Sequence, residues 1–206
     1  MDISKDTSKP ADAIHIYTDG CWLTPGTKHN PVAAGGLGVV IVRPGEKAEF
    51  LNDPPGDGAR QGNIEYMAVL YALRTLAKKL PPEGSAPVFL HTDQLNLINF
   101  LNAHQQAIDS GTAEKIFIDI ATLLDQTHTY LVYEPSPKEK ATGNNEHTAR
   151  MQDAHNLASQ AAHAVRYRLQ GYLEQSGTEK KLTGSDAERF ISRLTRNLSA
   201  ARTASR

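Results

Sequence analysis

The chain has 206 residues, 39% of them hydrophobic, and a formal net charge of −1. That is enough apolar material for one packed domain with an appendage and too little for two large domains, and the near-neutral charge by itself selects no partner. Cys21 is the only cysteine, which excludes an intrachain disulfide and a cysteine-based zinc site and fits a reducing, cytoplasmic setting.

The opening "MDISKDTSKPADA" is polar, without the apolar centre of a signal peptide, and residues 1–12 are expected to be disordered. No run approaches the roughly 20 apolar residues of a membrane span, so no membrane partner is expected. "AIHIYTDG" (13–20) alternates apolar and polar residues and predicts a half-buried strand stopping at an Asp-Gly turn. "GGLGVVIVRPG" (35–45) is a β-branched run closed by Pro-Gly, and "EKAEFLND" (46–53) follows as its hairpin partner.

The period then changes. Ile64, Met67, Ala68, Tyr71, Ala72 and Leu76 recur at helical spacing, with Asn63 placed as an N-cap and Pro81-Pro82 as a stop. "PVFLHTD" (87–93) reads as a short strand, followed by helices at "QLNLINFLNAH" and "AEKIFIDIATLLDQ", a strand "TYLVYEP", and a long helix that includes "RMQDAHNLASQAA" (150–162). The order βββαβααβα predicts an α/β fold: a five-stranded mixed sheet, three antiparallel strands followed by parallel ones, flanked by helices.

Three acids stand at telling places in that order. Asp19 and Asp93 end the first and fourth strands, and Glu65 lies in the first turn of the first helix. Parallel pairing of those two strands would bring both Asp residues to one end of the sheet, with Glu65 at the rim. Convergent carboxylates repel one another without a cation, and an all-oxygen cluster suits Mg²⁺ or Mn²⁺.

"IYTDG", "GGLGVVI", "NIEYMAVLYAL", "VFLHTDQLNLINFL" and "AHNLA", in that succession, resemble the type 1 ribonuclease H family over roughly residues 13–163. The resemblance implies an RNase H-like catalytic domain, taken as 13–175, and endonucleolytic hydrolysis of the RNA strand of RNA–DNA hybrids to 5′-phosphate products. It makes Asp19, Glu65 and Asp93 the first three members of an Asp-Glu-Asp-Asp set holding two Mg²⁺ or Mn²⁺ ions about 4 Å apart. It also casts Gly20, Cys21 and Asn63 as substrate contacts and His147, in a long loop before the last helix, as an aid to proton transfer. The chain departs from the family pattern in carrying only Asn63 where an Asn pair is common, in a longer segment after the first strand that holds Trp22, Lys28 and His29, and in lacking a basic handle helix. His15, His91 and His163 are expected to be structural or surface residues.

The fourth site residue is open between Asp153 and His155. Two positions on a helix differ by about 200°, so both cannot serve one site. The apolar set Ala154, Leu157, Ala158 and Ala161 frames "A-H-N-L-A" with His155 in the ligand position. Choosing Asp153 would turn Gln152, His155, Asn156 and Ser159 inward, at about 1 to 3 kcal/mol for each polar group buried without a partner, whereas carboxylate chemistry favours Asp153. An altered fourth position and a thin Asn signature keep an alternative in view: a catalytically weakened module that only binds nucleic acid.

Residues 166–206 carry nine Lys/Arg against four Asp/Glu, while 1–165 carry thirteen against nineteen. Residues 176–206 read as a polar linker and a basic amphipathic helix that begins with a Ser185-x-x-Glu188 capping box. A monomer is expected.

Overall fold

The structure, a computed structural model, describes residues 12–24, 33–56, 58–79, 86–135 and 146–175, with side chains to 171. The expected disordered segment up to residue 11, Lys28 and His29, most of the loop before the last helix, and the C-terminal linker and helix lie outside the described residues. The elements are β1 (Ile14–Leu23), β2 (Ala34–Val42), β3 (Glu49–Asp53), α1 (Ile64–Lys79), β4 (Val88–Thr92), α2 (Leu95–Ala103), α3 (Gln105–Asp109), α4 (Lys115–Gln126), β5 (Thr129–Tyr133) and α5 (Glu146–Gln175). The sheet order is β3-β2-β1-β4-β5, antiparallel from β3 to β1 and parallel from β1 to β5, the mixed sheet that the element order predicts.

Alternation along the strands builds two cores. Ile14 and Ile16 of β1, Val39 and Ile41 of β2 and Val88 and Leu90 of β4 face a large apolar cluster with Leu73 and Leu76 of α1 and Ile120 and Leu124 of α4. The opposite face, with Tyr17 and Val40, takes Met151 and Ala154 of α5. There the sheet is cut away by glycine. A Cβ on Gly38 would stand 2.0 Å from the Ala154 carbonyl oxygen, and one on Gly36 would stand 2.1 Å from that of Ala158. "GGLGVVI" is therefore a strand pared down so that the backbone of α5 lies directly on it.

Two local expectations change. β1 does not stop at Asp19-Gly20; it runs on to Leu23, because the glycine-rich start of β2 extends the antiparallel ladder through Gly20↔Leu37, Cys21↔Gly36 and Trp22↔Gly35. Between β4 and β5 there are three helices instead of two, the extra one being the five-residue α3, too short to show helical periodicity in the sequence. No helix among the described residues is long and apolar enough to cross a membrane.

Candidate metal centre

The parallel register Ile14↔Val88 to Tyr17↔His91, carried two residues further, sets Asp19 level with Asp93. β1 continues past the last paired position of β4, and α1 begins alongside it. A Cβ on Gly20 would meet the Ile64 carbonyl oxygen at 2.7 Å and the Glu65 nitrogen at 2.9 Å, so this glycine admits the first turn of α1 against the strand. The close approach that Gly20 permits is to the protein's own helix. Its N–H donates to Glu65 Oε2 at 2.7 Å and aims that carboxylate at the strand.

Asp19, Glu65 and Asp93 thus come together: one carboxylate oxygen from each lies within 4.8 Å of the other two. Asp19 is buried, and the other two are partly buried. Burial, then the charges of Asp19 and Asp93, push the Glu65 carboxyl up to about 9, against the lowering effect of the Gly20 N–H. A group held this far from ionisation at neutral pH reports a cluster short of positive charge, and its hard oxygen donors fit Mg²⁺ or Mn²⁺.

The two candidates for the fourth position part company. His155 Nδ1 is 2.7 Å from Asp19 Oδ2, with the imidazole side chain half exposed at the rim. Asp153 turns away and accepts from Arg150 Nη1 at 3.2 Å on its own helix. Asp153 as a site residue is corrected accordingly. Fully buried Ala154 and Ala158, seated on Gly38, fix the rotation of α5 and carry His155 to the carboxylates.

The remaining candidates fall elsewhere. Asn63 spends its side chain on the preceding loop, accepting from the Arg60 N–H at 2.8 Å and donating to the Gly58 carbonyl at 3.0 Å. It does not cap α1 through its side chain, although its backbone carbonyl opens the helix by accepting from the Met67 N–H. Cys21 is half-buried, its thiol pushed up by burial and by Asp19 and Glu65, with Ser159 hydrogen-bonded beside it. Trp22 packs against the cluster of Leu37, Ile64 and Ala68.

His147 lies furthest from its expected place. It lies not in a loop but in the first turn of α5, eight residues and roughly 12 Å of helix before His155, where the Tyr17 hydroxyl meets its Nδ1 at 2.6 Å. It groups with His15 and His91, two residues for which only structural or surface roles are expected. His163 is exposed, as expected.

No family model matches the sequence, and no curated protein does. Solved structures match in shape. The chain is similar to the solution structure of the PFV RNase H domain, with a TM-score of 0.57 and 21% identity over 73% of this chain and 94% of that one. It is also similar to the foamy viral protease-reverse transcriptase in complex with RNA/DNA hybrid, with a TM-score of 0.59 and 20% identity over 80% of this chain and 22% of that one. RNase H1 from the halophilic archaeon Halobacterium salinarum NRC-1 matches with a TM-score of 0.51 and 19% identity over 74% of this chain and 98% of that one. The fold is RNase H-like.

Proposed function

We propose that the chain is a ribonuclease H of type 1 that hydrolyses the RNA strand of RNA–DNA hybrids with the help of two divalent ions. The observation that carries this reading is the meeting of Asp19, Glu65 and Asp93 within 4.8 Å on an RNase H-like fold. Asp19, Glu65 and Asp93 would hold Mg²⁺ or Mn²⁺, with His155 at the fourth position. Bound there, such ions supply a lowered pKa for the attacking water and charge stabilisation for the departing 3′ oxygen.

The chain's own residues arrange the rest. The Gly20 N–H holds Glu65 through its Oε2, and the parallel register holds Asp93 beside Asp19. His155 shares a hydrogen bond with Asp19, so its ring is oriented by the most buried acid of the site. A neutral imidazole in place of a fourth carboxylate lowers the negative charge of the site by one. It adds a nitrogen donor, which shifts preference from Mg²⁺ toward Mn²⁺. Selection of hybrid over duplex DNA would rest on contacts to the ribose 2′-hydroxyl, a group only RNA carries.

A labelled substrate panel of RNA–DNA hybrid, double-stranded RNA and double-stranded DNA, each with Mg²⁺, Mn²⁺ or chelator, tests the proposal. Cleavage of the hybrid's RNA strand alone, abolished by chelator and faster with Mn²⁺, is the expected result. Two observations favour a second reading, a module that binds hybrid without cutting it: the imidazole at the fourth position and the side chain of Asn63 turned into its own loop. Retention of hybrid in a mobility shift with no cleavage under either ion would select that reading and overturn the first.

A further inference from the structure

Three imidazoles converge on the α5 side of the sheet, apart from the carboxylates. His15 comes from the start of β1, His91 from β4 and His147 from the first turn of α5, and one ring nitrogen of each lies within 4.8 Å of the others. His15 Nδ1 and His91 Nε2 are 3.1 Å apart. The ring centres form a nearly equilateral triangle, with separations of 5.3 Å for His15–His91, 5.4 Å for His15–His147 and 4.9 Å for His91–His147. Four-coordinate zinc with Zn–N bonds of about 2.0–2.1 Å sets neighbouring ligand nitrogens about 3.3 Å apart and ring centres about 5 Å apart. The ring centres have this spacing already, and so does the His15–His91 nitrogen pair.

We propose that His15, His91 and His147 form a second metal site, for Zn²⁺ or a similar borderline transition-metal ion, which fastens the start of α5 to β1 and β4.

The surroundings fit a dication. His91 is fully buried, and its other ring nitrogen, Nδ1, faces Glu134 Oε2 at 3.8 Å. Glu134 is itself only 7% exposed. A carboxylate behind a ligating histidine orients the ring and raises its basicity. The Tyr17 hydroxyl plays the corresponding part for His147 from 2.6 Å. Glu134, Glu146 and Arg150 all act electrostatically on Tyr17, so two carboxylates stand against one guanidinium around the cluster. The donor set is nitrogen rather than oxygen, which separates this site from the carboxylate cluster in metal preference.

The proton balance is simple. The His15–His91 contact holds one N–H between the rings; when both nitrogens turn to a metal, that proton passes to the donor's other nitrogen. For His91 that is Nδ1, which then donates toward Glu134. The fourth position falls to solvent.

Co²⁺ titrated into the full chain in excess Mg²⁺ reads the site directly. One equivalent is expected to bind and develop the visible bands of a four-coordinate ion, and Zn²⁺ to bleach them. His147→Gln and, separately, His15→Asn abolish the bands while far-UV circular dichroism stays that of the wild type; if one of them unfolds, the other decides. Glu134→Gln weakens binding by about 10- to 100-fold. Asp19→Asn leaves the bands in place, so this site stands or falls independently of the carboxylate centre. Absence of a stoichiometric four-coordinate signal, its survival in both histidine variants, or its loss in Asp19→Asn would each overturn the proposal.

Discussion

The carboxylate cluster and the imidazole cluster share β1, β4 and α5, yet they are opposite in chemistry. Three oxygen donors gather where β1 outruns β4 and α1 begins, open to the rim through a half-exposed His155. Three nitrogen donors gather at the other end of the same stripe, around a His91 that is fully buried. His15, Tyr17 and Asp19 lie on one face of β1 at a period of two, so a single strand feeds both. One amphipathic face thus carries a hard, accessible site suited to chemistry and an enclosed site of borderline nitrogen donors suited to holding a helix. His155, on the helix that His147 would anchor, links the two.

Breaking the first cluster alone produces the largest effect. Asp19→Asn removes the most buried donor, and loss of several kcal/mol of metal-derived stabilisation corresponds to roughly a 10³-fold drop in hybrid cleavage. Steady-state cleavage rates check it, and the fold is expected to persist.

Both clusters depend on the seat of α5, and Gly38→Val attacks that seat. Its Cβ would meet the Ala154 carbonyl oxygen at 2.0 Å, backbone that cannot yield without moving the helix. Destabilisation of about 3 kcal/mol is expected in urea unfolding, together with loss of cleavage and of Co²⁺ binding.

A smaller effect separates the two neighbours on α5. His155→Ala is expected to lower cleavage by about 10- to 100-fold, since it removes both the nitrogen donor at the fourth position and the hydrogen bond that orients Asp19. Asp153→Ala removes only an ion pair with Arg150 along the helix surface and is expected to leave the rate within twofold, a difference of about 0.4 kcal/mol. Parallel rate measurements on the two variants sharpen the assignment, and the opposite ranking would return Asp153 to the site.

A further effect is one of linkage. In the metal-free fold the Glu65 carboxyl rises from an ordinary 4.5 to about 9, so the folded state holds its proton more tightly than the unfolded state. That contribution to stability is complete below pH 4.5 and is lost as pH climbs toward 9. Melting of the metal-free protein is expected to fall across this window, with the slope reduced by Glu65→Gln or by saturating Mn²⁺. A slope unchanged by either would show that Glu65 is not the group responsible.

The carboxylates were legible because each sits at a structural landmark: Asp19 beside a glycine, Glu65 in a first helical turn, and Asp93 at the end of a short apolar strand. The rotation of α5 was legible for a related reason. Ala154, Leu157, Ala158 and Ala161 mark its packed stripe, and that stripe places His155 without knowledge of what it meets. The imidazole cluster was not legible. His15, His91 and His147 come from three elements far apart in the chain, and no spacing rule joins them; only the strand register and the start of α5 do. The remaining signal is weak, a histidine at an inward position of each of two buried strands. Asn63 shows a different failure: its position opens α1 as a cap should, but local hydrogen bonds to Gly58 and Arg60 claim its side chain. The five-residue α3 and the extension of β1 past Gly20 depend on tertiary partners that local pattern does not contain.

Cleavage of a labelled RNA–DNA hybrid by the wild type and by Asp19→Asn, side by side in Mn²⁺ and in Mg²⁺, decides whether the carboxylate cluster is a metal-dependent nuclease centre. Metal-dependent scission of the RNA strand by the wild type, stronger in Mn²⁺, and a rate roughly 10³-fold lower for Asp19→Asn are expected. Scission by Asp19→Asn at the wild-type rate would sink the assignment of this cluster as the catalytic centre.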